Sequence, residues 1–126
     1  MNLATMTEQE VFDAVRVHLE DQGQVCSLYG HCKYRHNNLK CAASIFIPDE
    51  LYTPAMEDIN WRNLVHEGMV PSNHAELIYT LQEDVHDYIA GKQEELSADQ
   101  FDYHQLLEQR LKYAAEKHTN ITFQGE

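Results

Sequence analysis

Apolar residues recur at helical spacing in several stretches of this chain. In the first, Val11, Ala14, Val15 and Leu19 follow Thr7 and Glu10, a capping-box pattern, and Gly23 supplies a natural stop. In the second, Leu77, Ile78, Leu81, Val85, Tyr88 and Ile89 make a wide apolar face that predicts a helix capped by Ser72 and ended by Gly91. In the third, Phe101, Leu107, Leu111 and Ala114 or Ala115 predict a helix opened by the pair Ser97 and Gln100 and running to about Lys117.

The segments between them read differently. Residues 24–40 combine short apolar alternation with Gly30 and an Asn37-Asn38 pair, which predicts a small hairpin, 24–29 against 32–36 or 33–40. The run Cys-Ala-Ala-Ser-Ile-Phe-Ile at 41–47 is core, and the shared face of Cys41, Ala42, Ile45 and Phe46 favours a short helix over a buried strand. Two prolines in 48–58 predict a surface loop pinned by Leu51, Tyr52 and Met56, followed by a short helix from Asn60 to Glu67 that Gly68 ends. The last residues are expected to form either an edge strand through Ile121 and Phe123 or a loose tail, and Phe123-Gln124-Gly125 has a slight look of a protease-site remnant. The expected architecture is α+β, a compact α-rich single domain over 1–126 with a small β-hairpin and flexible termini at 1–6 and 119–126.

Charge adds a polarity to this plan. The 126 residues carry 21 acidic side chains against 9 Lys and Arg, a formal net charge of -12. Residues 48–108 hold 14 of the acids and only Arg62 and Lys92 as bases, whereas 22–47 hold no acid and the cations Lys33, Arg35 and Lys40. Direct binding to a nucleic-acid backbone, which a basic footprint would drive, is therefore not expected. An acidic helical surface that docks a positively charged partner is expected instead, with Trp61, Glu76, Glu83, Asp84, Asp87, Glu94 and Glu95 as its interaction residues. The first residues lack a basic region followed by an apolar stretch, and no apolar run is long enough to span a bilayer, so the expectation is a cytoplasmic protein without a membrane partner.

Candidate chemistry is sparse. Cys26, Cys32, His36 and Cys41 are thiol and imidazole donors of the kind zinc prefers, although their spacing lacks the usual paired knuckles. The odd number of cysteines argues for reduced thiols. A Cys32 nucleophile with His31 or His36 has no recognisable signature, and no phosphate loop, paired-histidine metal helix or nucleophile elbow appears. In Leu-Gln-Glu-Asp-Val-His-Asp-Tyr-Ile, at 81–89, Glu83 shares a helical face with His86 or Asp87.

The pattern Cys32, Tyr34, Arg35, then Lys40, Cys41, Ala42, then Pro48, Asp49, Glu50 and Tyr52 resembles small uncharacterised proteins encoded by tailed bacteriophages and prophages. The likeness covers residues 7–89 and implies a phage accessory role in the bacterial host cell. The leading expectation is an accessory protein that binds and modulates a host protein through its acidic surface, with a homo-oligomer as a further partner class. Behind it stand a small zinc-stabilised binding domain, a nucleic-acid mimic, and last a cysteine- or metal-dependent enzyme.

Overall fold

The computed structural model describes residues 2–28, 30–118 and 120–123. The first helix, α1 (Glu8–Gln22), forms as its sequence directs. The Thr7 hydroxyl accepts the Glu10 amide at 3.1 Å, the Glu10 carboxylate accepts the Thr7 amide at 2.8 Å, and Gly23 closes the helix in the left-handed region at φ 72°. Val11, Phe12, Val15 and Leu19 bury its inner face.

Two very short antiparallel hairpins follow in place of one. The pair β1 (Ser27–Leu28) and β2 (His31–Cys32) turns at Gly30, and β3 (Arg35–His36) pairs with β4 (Leu39–Lys40) around Asn37 and Asn38. Both asparagines have positive φ, 49° and 67°, as a tight hairpin turn of this hand needs. The strands do not merge because Tyr34, between them, is tied elsewhere. Its amide donates to Glu57 Oε1 at 2.8 Å, and its hydroxyl donates to the Ile59 carbonyl.

The apolar run 41–47 is mostly irregular, with a single 3-10 turn at Ser44–Phe46 instead of the expected helix. Every residue of it except Ile45 is buried, so there is no one-sided face for a helix to present. Arg35 fixes the run, donating to the Ile47 carbonyl and to Ser44 Oγ. In the proline loop Met56 is buried and Tyr52 half-buried, while Leu51 projects into solvent at 56% exposure and pins nothing. Helix α2 (Trp61–His66) is capped by Asn60, and Gly68 at φ 76° lies just beyond it.

The longest element is a continuous helical rod made of α3 (Ala75–Thr80), a π-helical segment (Leu81–Asp87) and α4 (Tyr88–Glu95). Leu77, Ile78, Leu81, Val85 and Ile89 are buried as the periodicity predicts. The predicted ends are wrong at both sides. The rod starts after His74, whose φ is 60° and whose Nε2 donates to the Met6 carbonyl at 2.7 Å, not with a Ser72 cap. Gly91 does not end it, because Ile89 and Ala90 stay buried and tertiary packing carries the helix past one weak residue. Helix α5 (Tyr103–Lys117) likewise opens at Asp102, whose carboxylate accepts the Gln105 amide at 3.1 Å, while Ser97 belongs to a separate turn. Starting there aligns Tyr103, Leu107, Leu111 and Ala114 on the core.

The described ends are docked, not loose. Leu3 is buried, Gln9 exchanges two hydrogen bonds with the Thr122 backbone at 2.8 and 3.0 Å, and the Phe123 ring lies 5.7 Å from that of Phe12. Residues 121–123 form no strand, and residues 1, 119 and 124–126, which include Gln124 and Gly125, lie outside the described residues. The whole is a helix-rich α+β domain with one core shared by α1, α2, the rod and α5.

Candidate functional site

The π segment is where the rod meets the hairpins. Opening the helix to i→i+5 bonding lets this stretch bury Val85 and His86 on one side and still aim Gln82, Glu83 and Asp87 at a cavity of about 240 Å³. Cys32, Lys33 and Tyr34 from the hairpin region, Cys41, and Asp58, Ile59 and Asn60 from the loop before α2 complete its walls. Asp58 sits in the left-handed region at φ 67°, a conformation few residues other than glycine, Asn and Asp adopt.

His86 stands behind this wall, fully buried. Its Nε2 accepts the Cys26 amide at 2.9 Å, so the ring proton belongs on Nδ1, which donates to Asp87 Oδ1 at 2.9 Å. Sγ of Cys32, a carboxylate oxygen of Asp87 and a ring nitrogen of His86 all lie within 4.8 Å of one another. Burial alone would raise the Asp87 carboxyl, but hydrogen bonds from His86, Glu83 and Cys32 outweigh it and hold it below the usual value. Glu83 moves the opposite way, pushed up to about 7 by burial and by its hydrogen bond to Asp87. The two carboxyls therefore titrate as a coupled pair in which Glu83 takes up a proton more readily than Asp87.

The thiols are not activated. Burial, then the charge and hydrogen bond of Asp87, pushes Cys32 well above the usual thiol value, and burial raises Cys41 and lifts Cys26 to about 12. A nucleophilic cysteine needs the reverse, and the imidazole beside Cys32 already has both nitrogens engaged.

The metal set read from sequence does not assemble. All three cysteines are free thiols, but Cys26 donates to the Leu39 carbonyl at 3.4 Å and His36 is bonded to Asn37 at 3.2 Å. Cys41 shares the cavity wall with Cys32, and the one close donor group among the described residues joins Cys32 to His86 and Asp87 instead.

The acidic residues divide between two sides. Glu83 and Asp87 face the hairpins, as does Glu94, whose side chain packs over Gly30. Glu76 and Asp84 face α2 and α5, where Arg62 donates to Glu76 at 3.0 Å and Lys117 to Asp84 at 3.1 Å. Glu95 is exposed and 3.4 Å from Lys92. Trp61 is fully buried, so it anchors the core and cannot be a surface contact. The close i,i+4 relation of Glu83 and Asp87 was readable in the sequence. Gln82, Asn60 and Tyr34 were not, since isolated polar residues beside apolar rows carry no signal of a shared wall.

Comparisons with known protein families, curated proteins and solved structures find no match to this chain.

Proposed function

We infer that this is a binding protein that works without catalysing a reaction, docking a basic surface of a protein partner on the hairpin-facing side of its rod. The role fits a phage-encoded accessory protein that modulates a host protein. The observation that carries the reading is the unequal neutralisation of the two acidic sides. Glu76 and Asp84 are matched by Arg62 and Lys117, whereas Asp58, Glu83 and Asp87 line the cavity with Lys33 as the cation in its wall, and Glu94 lies over Gly30 at the turn of the first hairpin. Like charges left unmatched at a concave surface raise the local potential and speed the approach of a cationic partner.

The test is affinity capture from the bacterial host with identification of what is bound, using charge reversals placed by side. Asp58→Lys with Glu94→Lys should abolish capture of a basic protein, and Glu76→Lys with Asp84→Lys should leave it. Capture should also weaken steeply as salt rises. Equal capture by both double variants, or loss in the second and not the first, would sink the reading.

A further inference from the structure

We propose that the face formed by α4 and α5 docks a second copy of this chain, in a two-fold contact centred between Arg110 and Tyr113. Arg110 lies between two exposed tyrosines, 4.0 Å from the centre of the Tyr88 ring and 4.3 Å from that of Tyr113. Lys92 extends this row beyond Tyr88 at 5.6 Å, and Lys117 extends it beyond Tyr113 at 5.9 Å. Tyr88 and Tyr113 are two of the four exposed large apolar side chains among the described residues. The other two, Val17 and Leu51, stand singly on α1 and in the proline loop. Isolated exposed apolar residues need no partner, whereas tyrosines grouped around an arginine have the composition of an interface centre.

The charges of the face select a second copy over other partners. Lys92 is 3.4 Å from Glu95 and Lys117 donates to Asp84 at 3.1 Å, so cations and carboxylates alternate along it. A polyanion would meet those carboxylates and a net charge of -12, and a strongly basic protein would meet the lysines and Arg110. A two-fold contact asks one surface to carry both members of every pair, which this face does and the unmatched acidic side does not. On α5 the row Leu106, Arg110, Tyr113 and Lys117 has spacings of four, three and four residues, the same from either end. An antiparallel α5 from the second copy then sets each Arg110 against the other copy's Tyr113, and each Leu106 against the aliphatic stem of the other copy's Lys117.

Tyr88, Arg110 and Tyr113 line no part of the cavity beneath the π segment. Two copies joined at α4 and α5 therefore each keep the hairpin-facing acids free, and dimerisation stands independently of the docking partner. Because the lysines of the face are matched within each copy, salt should change dimerisation little, unlike docking on the acidic side.

The experiment measures the mass of the full chain by sedimentation equilibrium from about 1 to about 100 μM, at about 0.05 and about 0.5 M salt. Twice the 14.7 kDa chain mass is expected at the upper concentrations in both salts. Tyr88→Ala with Tyr113→Ala should weaken association at least about tenfold, with circular dichroism confirming the fold. Tyr113→Ala alone serves if the double variant does not fold. Val17→Ser and Leu51→Ser should associate as the parent does, and a fluorescent single-stranded oligonucleotide should not bind. A monomer at about 100 μM, unchanged association in the tyrosine variants, or equal loss in Val17→Ser or Leu51→Ser would each overturn the assignment. Oligonucleotide binding that the tyrosine variants abolish would overturn it as well, giving the face to a nucleic acid.

Discussion

The His86 imidazole accepts the Cys26 amide at 2.9 Å, joining the strand-forming segment to the π segment of the rod across sixty positions of sequence. Both groups are buried, so removing the ring strands an amide and leaves a cavity. His86→Ala should cost about 2–4 kcal/mol in urea-unfolding free energy. A loss below about 1 kcal/mol would show that the bond does not hold the two elements together.

Arg35 plays a comparable part for the irregular core run. Its guanidinium donates to the Ile47 carbonyl, to Ser44 and to Asp49 at 2.7 Å, and lies 4.7 Å over the Tyr52 ring. A planar fork meets these partners together, which an ammonium cannot do. Arg35→Ala should cost about 1–3 kcal/mol, and Arg35→Lys should recover only a minor part of it. Full recovery by lysine in thermal unfolding would reduce the interaction to simple charge.

What the sequence made legible follows from the range of the forces involved. Thr7 and Glu10 close a capping box within one turn, and the rows Val11 to Leu19 and Leu77 to Ile89 need only local periodicity, so α1 and the inner face of the rod were readable. Gly91 and Ser97 misled because their local preferences were overridden by burial of Ile89 and Ala90 and by the stronger placement of Asp102 before Tyr103. The site was half readable. Glu83 and Asp87 are one helical turn apart, but the arrival of Cys32 depends on hairpin register and on a π segment, neither of which leaves a periodic trace.

His18 offers a pH dependence with a defined sign. Burial lowers its value below 6.5 more than its hydrogen bond to the Lys40 carbonyl raises it, with His86 and Lys40 disfavouring and Asp21 favouring the charge. The unfolded chain therefore binds a proton more readily, so the contribution is fully present above 6.5 and is lost as pH falls through the folded value. The drop in melting temperature from about pH 8 to about pH 5 should be smaller in His18→Gln than in the parent. An equal drop would assign the acid sensitivity to other groups.

Two glycines should respond to alanine with opposite signs, although neither would bring a new side chain within 4 Å of anything. Gly23 holds the left-handed cap of α1 at φ 72°, where a Cβ meets its own backbone, so Gly23→Ala should destabilise by about 1 kcal/mol. Gly91 lies inside α4 with helical geometry and pays the entropy of a residue too free when unfolded. Gly91→Ala should stabilise by about 0.5–1 kcal/mol. Because both sites are sterically open, the difference isolates backbone conformation from packing. Matched urea titrations of the two variants provide the measurement, and a destabilising Gly91→Ala would mean that the rod does not run straight through that position.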